Sequence, residues 1–325
     1  MAKVLVVGGA GYIGGSLTDL LVQQGHDVRV YDFLLYESRY LKPVEFVRGD
    51  VRDLPRLKPN LDWADAVVWL AALVGDGACS LDPKLTRSIN ADAVRDLVRN
   101  FNRQIIYTCT CSVYGAQEGL LNEESRLNPL SLYAVTKLEA ENVVCEAGGT
   151  SFRLGTLFGM GDQYSRIRLD LVLNLLTFKA CLYRFISVFG GNQYRPLLHV
   201  RDVGKAITQV LGTNHRGIFN LHCVNMTISE LADRIAGSFP GVLVEKTDVQ
   251  FQDARNYKVC SDKARAFLGF SPELDVDTGI SEIGSLVSEG RIRDPSDVLY
   301  SNFDYLRPIL MPAQSPLGGE IAIWR

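Results

Sequence analysis

The chain has 325 residues, a formal net charge of −3 and a hydrophobic fraction of 47%, the composition of an ordinary globular protein. Such a length allows one large domain or two that share a core. The slightly acidic charge removes the simplest argument for binding nucleic acid or an anionic membrane, and no apolar run reaches the roughly 18–20 residues of a membrane span. We therefore expect neither partner.

The N-terminus, MAKVLVVGGAG, has a five-residue apolar core that runs directly into a glycine turn. This pattern predicts a buried strand and not a signal peptide. Seven cysteines without an export signal then predict free thiols in the reducing cytoplasm. Cys109 and Cys111 lack the further ligands that a structural zinc site needs, so we expect no metal.

Short β-branched runs alternate with helical patterns in the first half of the chain. The predicted strands are residues 4–7, 28–31, 44–47, 66–70, 104–108 and 151–154, and the clearest predicted helices are 16–24, 84–100 and 132–146. Such alternation predicts an α/β fold, a doubly wound parallel sheet with helices on both faces.

The second half is less regular. Its predicted helices are residues 169–181, 203–211, 229–239 and 262–268, and its predicted strands or extended segments are 186–189, 194–200 and 242–244. We interpret residues 1–158 as the sheet domain and 159–325 mainly as a smaller lobe, with part of 186–213 returning to the sheet. Residues 291–325 contain prolines and show no periodic spacing of apolar residues, which predicts an extended tail. The sequence gives no indication of what this tail does.

A glycine-rich motif follows the first predicted strand and opens the first predicted helix. Gly8, Gly11 and Gly14 have the spacing G-x-x-G-x-x-G, with Tyr12 and Ile13 between the last two. Gly8 permits a tight turn, Gly11 lets the backbone approach a diphosphate, and Gly14 allows close packing. The context predicts a dinucleotide site.

Asp32 ends the second predicted strand, about twenty residues beyond the glycines. A carboxylate there accepts hydrogen bonds from ribose hydroxyls and repels a 2′-phosphate, which favours NAD over NADP. Arg39, a few residues later, is the only nearby argument for NADP, and we interpret it as a solvated loop residue.

Tyr133 and Lys137 are four residues apart on the predicted helix 132–146, so they lie on one face. An ammonium near a phenol favours the phenolate, which is the base that oxidation of an alcohol needs. Three hydroxyl residues, Thr108, Thr110 and Ser112, follow the strand 104–108 and offer alternative partners for the reacting oxygen.

These motifs occur in an order that resembles the extended short-chain dehydrogenase/reductase family, over roughly residues 3–290. The stretch 108–115, ending Val113-Tyr114-Gly115, resembles a segment of NAD-dependent nucleotide-sugar epimerases and dehydratases, and that resemblance makes Thr110 the catalytic hydroxyl. It also implies cofactor contacts from residues elsewhere in the first half. These are Asp50, Val51, Leu70, Ala71, Ala72 and Asn90.

The second half resembles the nucleotide-sugar end of the same family. The segment Tyr194–Val203, with its R-x-x-x-H-V-x-D-V pattern, implies that Arg195 binds the sugar-nucleotide diphosphate, and Arg255 resembles the second diphosphate arginine. The resemblance further implies substrate contacts by Thr156, Arg168 and Asn174. The pattern around 166–174 resembles a bacterial subgroup associated with surface-polysaccharide sugars, including nucleotide-heptose 4-dehydrogenases.

The resemblance implies an NAD-dependent epimerase or dehydrogenase, similar to UDP-glucose 4-epimerases, that transfers hydride at a sugar carbon, which we expect to be C4. Tyr133 would be the base and the enzyme a cytoplasmic homodimer. Cys111 and Ser112 stand where sugar 4,6-dehydratases carry an Asp-Glu pair, which disfavours dehydration. A non-catalytic NAD-binding regulator on the same fold is the remaining alternative.

Overall fold

The computed structural model describes residues 1–247, 255–292, 294 and 296–311. Its strands are β1 Lys3–Val7, β2 Asp27–Asp32, β3 Glu45–Arg48, β4 Ala66–Trp69, β5 Gln104–Thr110, β6 Ala116–Leu121, β7 Thr150–Leu154, β8 Thr156–Phe158, β9 Phe185–Phe189, β10 Tyr194–His199, β11 Gly217–Leu221, β12 Val224–Thr227, β13 Leu243–Thr247 and β14 Asn256–Val259. Its helices are α1 Gly14–Gln23, α2 Leu54–Trp63, α3 Asp76–Leu81, α4 Pro83–Arg87, α5 Ala93–Asn100, α6 Leu132–Glu146, α7 Val172–Tyr183, α8 Val200–Val210, α9 Ile228–Ser238, α10 Asp262–Leu268, α11 Val276–Ser288 and α12 Asn302–Leu310. A π-helical turn, Ser88–Asp92, joins α4 to α5, and short 3₁₀ turns occur at Cys111–Tyr114 and Val298–Tyr300.

Seven strands form one parallel sheet in the order β11-β7-β5-β4-β1-β2-β3. The chain runs outward from β1 through β2 to β3, then crosses to β4 and continues in the opposite direction. The carboxyl ends of β1 and β4 therefore flank the switch point, where open α/β sheets bind their ligands. The predicted doubly wound parallel sheet is confirmed.

Alternating residues of the central strands supply two separate cores. On β1, Leu5 and Val7 face a cluster that includes residues of α2, α5 and α6, whereas Val4 and Val6 face residues of α1, α8 and α10. All four side chains are fully buried. Because both faces are covered, the strands are apolar throughout, as the β-branched runs predicted.

The chain also forms three small sheets. β12-β10-β8 and β13-β9 contribute to a third apolar cluster built largely by α7, α9 and α11, whereas β14-β6 packs on the first cluster. The chain also returns to the large sheet, because α8 packs against α1 and β11 pairs with β7. No helix in the described ranges is long and apolar enough to cross a membrane.

Three sequence predictions need correction. The single helix expected over 84–100 is interrupted by the π-helical turn at Ser88–Asp92, where Asn90 is bound to the backbone of Leu73. Helix α2 was not predicted from the sequence, because it contains prolines at 55 and 59. Asp53 caps its N-terminus by accepting the Arg56 N–H.

The extended tail predicted from residue 291 is wrong for residues 302–310, which form α12. Ser301 caps this helix by accepting the Asp304 N–H, and Leu306 is fully buried. Three tail prolines, at 295, 312 and 316, lie outside the described part of the chain, as do all residues from 312 to 325.

Candidate active site

A cavity of ≈ 590 Å³ lies at the switch point of the sheet and is lined by both halves of the chain. Most of the residues predicted from the sequence to form the site line it together. They are Gly8, Gly11, Tyr12, Ile13, Asp32, Asp50, Val51, Leu70, Ala71, Ala72, Thr110, Tyr133, Lys137, Thr156, Arg168, Arg195 and Arg255.

The glycine turn between β1 and α1 has the geometry that a dinucleotide needs. Gly8 has a φ of +83°, and a Cβ there would lie 2.5 Å from the Ala71 nitrogen. A Cβ at Gly14 would lie 2.3 Å from the Gly9 carbonyl oxygen, which explains the third glycine by packing. Among the described residues, no side chain caps the N-terminus of α1 and its first turn has no acid. The positive N-terminal end of this helix therefore suits an anion.

Asp32 lies beside this turn at the end of β2. Its carboxylate accepts the Ala10 N–H at 3.0 Å and the Leu34 N–H at 2.7 Å, which holds it against the glycine turn. Burial raises the pKa of Asp32, and the backbone hydrogen bonds oppose this shift. Arg39 is exposed and does not line the cavity. The side chains at this end therefore fit a ribose without a 2′-phosphate.

Tyr133 and Lys137 lie in the first half of α6 and both line the cavity. Ser131 caps this helix by accepting the Ala134 N–H at 3.2 Å, and its own hydroxyl donates to Asp76 at 2.6 Å. Lys137 is 2% exposed, and its Nζ lies 4.2 Å from the ring centroid of Tyr107. The cap and the packing fix the phenol and the ammonium in place.

The protein environment shifts both groups toward their neutral forms. Burial is the main cause that raises the pKa of Tyr133, and Cys79 and Cys109 add to it, whereas burial lowers the pKa of Lys137 to about 8. The sequence predicts that the ammonium, together with the positive nicotinamide ring of bound NAD⁺, lowers the pKa of Tyr133. Without the cofactor, burial is the largest influence on both groups and favours their neutral forms. The lowered pKa in the presence of NAD⁺ stays a prediction.

The three candidate hydroxyls at the end of β5 all line the cavity. Thr110 Oγ1 donates to Ser112 Oγ at 3.1 Å and also accepts the Ser112 N–H at 3.1 Å. Thr108 Oγ1 donates to the Trp69 carbonyl at 3.4 Å. Thr110 and Ser112 thus form one hydroxyl pair, while Thr108 is bound to the neighbouring strand.

Arg195 and Arg255 meet at the wall formed by β10 and β14. Arg195 is 6% exposed, and its Nη1 donates to the carbonyl oxygens of Tyr194, at 2.9 Å, and of Arg255. Arg255 Nη1 donates to Ser112 Oγ at 3.1 Å and lies 3.3 Å from Asp76. Arg255 therefore contacts the hydroxyl pair, and Arg195 contacts the backbone of Arg255. Asp253 and Ala254, which precede Arg255, are outside the described residues.

Two predicted contact residues lie behind the cavity wall. Asn90 is 1% exposed, and its amide donates to the Leu73 carbonyl at 2.9 Å and accepts the Leu73 N–H at 2.8 Å. Asn174 is fully buried, accepts the Gly159 N–H at 2.9 Å and donates to the Arg168 carbonyl at 2.9 Å. Neither lines the cavity, so both are better explained as braces of the loops that do.

The chain matches the profile of a known family over residues 4–221, a family described as the NAD dependent epimerase/dehydratase family. The chain belongs to this family. It is 30% identical over 241 residues to an uncharacterised UDP-glucose epimerase, YtcB, of Bacillus subtilis, across 66% of this chain and 73% of that protein. It is 26% identical over 308 residues to the UDP-glucose 4-epimerase of Lactobacillus helveticus, across 83% of this chain and 92% of that protein.

Solved structures share the fold. MoeE5, in complex with UDP-glucuronic acid and NAD, matches with a TM-score of 0.76 and 24% identity, across 89% of this chain and 99% of that one. The predicted resemblance to the extended short-chain dehydrogenase/reductases is confirmed, and NAD is the cofactor of the NAD dependent epimerase/dehydratase family. The bacterial subgroup stays a prediction.

Sequence reasoning missed several residues that line the cavity of this family member. Tyr36, Asp76 and Asn302 were not nominated, and Arg166 was quoted only as part of a pattern. For Arg166, the sequence offered one signal of a place in the cavity, namely its position two residues before Arg168. Nothing marked Asn302, because its segment has no hydrophobic period and reaches the cavity only through the fold.

Proposed function

We propose that the protein oxidises a hydroxyl group on the sugar of a nucleotide sugar, at C4, with hydride transfer to NAD⁺. The observation that carries this proposal is the single cavity, which combines a dinucleotide turn, a tyrosine–lysine pair and two arginines. The arginines suit the two phosphates of a sugar nucleotide, because a guanidinium fork binds phosphate oxygens in pairs.

In this mechanism Tyr133 takes the proton of the sugar hydroxyl as the C–H hydrogen leaves as hydride, and the carbinol becomes a ketone. NAD⁺, when bound by the glycine turn and Asp32, supplies the hydride acceptor. Because burial raises the pKa of Tyr133, the phenolate needs nearby positive charge to form. Lys137, one helical turn away, is the cation that this chain provides, and Thr110 orients the reacting oxygen.

Elimination of water is disfavoured by the residues that follow Thr110. A 4,6-dehydration needs an acid and a base beside the sugar. Cys111 is fully buried, its Sγ donates to the Arg153 carbonyl at 3.2 Å, and burial raises its pKa. The Ser112 hydroxyl is neither an acid nor a base near neutral pH, so it cannot replace either member of such a pair. The reaction is therefore epimerisation or net dehydrogenation, and the Tyr133 chemistry serves both.

The deciding experiment incubates pure protein and NAD⁺ with UDP-, GDP-, CDP- and dTDP-sugars. Net formation of NADH, followed by absorbance, identifies a dehydrogenase. Interconversion of epimeric sugars without NADH, followed by NMR, identifies an epimerase. The proposal fails if the protein binds NAD⁺ and changes none of the sugars, since that result favours the non-catalytic regulator.

The expectations of a homodimer and of polysaccharide biosynthesis remain part of this proposal. All seven cysteines are free thiols, which supports the proposed cytoplasmic location because that compartment is reducing. Light scattering of the pure protein tests the dimer directly, and a monomer with full activity would remove it.

A further inference from the structure

The C-terminal clasp, defined as residues 296–311, connects three loops that line the cavity. Asn302, at its centre, is 3% exposed, donates its side-chain amide to the Val74 carbonyl at 2.8 Å and accepts from Arg166. Its backbone N–H donates to Asp170 at 3.0 Å. Tyr305 adds a hydrogen bond to the Leu35 carbonyl at 2.9 Å. The clasp thus joins the loops after β2 and β4 to the loop that precedes α7.

Two arginines of the loop before α7 line the cavity below the clasp. Arg166 Cζ lies 3.9 Å from the ring centroid of Tyr36, and its Nη1 donates to the Leu299 carbonyl at 2.5 Å. Arg168, 8% exposed, uses Nε and Nη2 on the two oxygens of Asp170, at 2.5 and 3.0 Å. Its Nη1 has no acceptor among the described residues.

The same loop lies against the first turn of α1. A Cβ at Gly15 would be 2.5 Å from both Asp162 and Ser165, so the loop and the helix are in close contact. The guanidinium of Arg168 lies 5.9 Å from the ring centroid of Tyr12, within the glycine motif. The uncapped, positive end of α1 and this buried guanidinium therefore line the same cavity, with Tyr12 beside both, and an anion bound there stabilises both.

We propose that Arg168 binds the diphosphate of the dinucleotide, opposite the glycine turn, and that Asn302 of the clasp is the positioning residue for this arginine loop. This inference rests on the NAD use in the proposed function and reassigns Arg168 from the sugar nucleotide to the cofactor. Burial and the neighbouring Arg168 charge lower the pKa of Arg166 to about 10, the direction expected for two cations held close together. A bound diphosphate relieves that repulsion.

Binding of NADH, measured by fluorescence, tests the assignment without requiring turnover. Arg168→Gln should weaken NADH binding about 10- to 100-fold, the loss of one charge-assisted contact. Arg168→Lys keeps the charge and should recover most of that loss. Binding of UDP, GDP, CDP and dTDP should be unchanged in both variants.

The outcomes separate the two possible diphosphates. Weakened nucleoside diphosphate binding with unchanged NADH binding would return Arg168 to the sugar nucleotide, and no change in either would make it structural. If none of the nucleoside diphosphates binds the wild type, the proposed function is in question while the NADH result still stands. A double variant, Arg168→Gln with Asp170→Asn, avoids leaving the Asp170 carboxylate without its partner if Arg168→Gln alone melts early.

Asn302→Ala tests the clasp itself. Because the side chain acts through Arg166, we expect faster NADH dissociation by about 10-fold in stopped-flow measurements, and a weaker dependence of NADH affinity on salt. Arg307→Ala, on an exposed position of the same helix, is the matched control and should change neither. An Asn302 variant with the wild-type salt dependence would overturn the positioning role.

Discussion

The two sides of the cavity are built in different ways. On the cofactor side, the walls belong to β1, β2 and β4 and the turns after them, and main-chain groups hold them together: Gly8 N donates to Tyr31 O at 2.8 Å and Ala71 N to Val7 O at 3.0 Å. On the substrate side, side chains distant in sequence hold the wall, as in the contact of Arg255 with Ser112.

This difference separates a wall whose backbone geometry must be kept from a wall whose side chains are free to vary. A backbone wall depends on glycines and strand geometry, so many side-chain changes leave it intact. A side-chain wall changes its chemistry with each substitution, and it can select a different sugar without disturbing the dinucleotide turn. We therefore expect substitutions on the two sides to act on different ligands.

The largest expected effect lies between the two sides. Tyr133→Phe retains the ring, so NAD⁺ binding and folding should survive, but the proton acceptor is lost. General-base loss costs about 10²–10⁴-fold in rate, and we expect turnover to fall by such a factor with little change in substrate affinity. Steady-state kinetics measures this loss, with the nucleotide sugar that the UDP-, GDP-, CDP- and dTDP-sugar panel identifies as the substrate. Near-normal turnover would show that the proton leaves by another route.

Arg195→Ala tests the substrate side alone. Loss of a charge-assisted fork to phosphate costs on the order of 2–3 kcal/mol, or about 30–150-fold in affinity for the nucleotide sugar. NAD⁺ affinity should be unchanged, because Arg195 contacts β10 and Arg255 and not the glycine turn. Arg216→Ala, at an exposed position, is the control. Equal losses for both ligands in calorimetry would contradict the separation of the two sides.

The same division explains how far the sequence was informative. The glycine spacing and Asp32 predicted the cofactor wall, because both depend on residues adjacent to strands that are easily recognised. Tyr133 and Lys137 were predicted from helical spacing, and the structure brings them to the same cavity. The raised pKa of Tyr133 in the absence of NAD⁺ could not be predicted from the sequence, since the burial that causes it has no local signature. Asn302 was missed for the corresponding reason, as only tertiary packing brings α12 to the cavity.

Cofactor choice tests the cofactor side. Asp32 is held by two backbone N–H groups close to the proposed ribose, so a 2′-phosphate would meet a fixed carboxylate. We expect NADP⁺ to bind at least about 10-fold more weakly than NAD⁺, a difference near 1.4 kcal/mol. Asp32→Ala should narrow this ratio and leave nucleotide-sugar affinity unchanged. Titration calorimetry with both cofactors measures the ratio, and tighter NADP⁺ binding by the wild type would refute the assignment.

The smallest effect concerns stability, and a group behind each side should respond to pH with the opposite sign. Behind the substrate wall, where Asn225 is hydrogen-bonded to Val259 of β14, burial lowers the pKa of His222 to about 4, with Arg265 adding to the shift. The neutral ring fits a network in which Ser261 lies 2.5 Å from Nδ1 and Asn225 lies 3.1 Å from Nε2.

The unfolded chain binds a proton at His222 near pH 6.5, whereas the folded chain does so only near pH 4. The contribution of His222 is therefore complete above about pH 6.5 and is lost as the pH falls toward 4. Asp32 has the reverse sign, because its raised pKa favours the folded state at low pH and this contribution disappears as the pH rises through the folded value. Thermal melts between pH 4.5 and 7 should show Tm falling by a few degrees on acidification. His222→Gln should flatten this slope and Asp32→Asn should leave it in place or steepen it. A slope unchanged in His222→Gln would mean that other groups control the acid response, and that the substrate side is no more acid-sensitive than the backbone-built side.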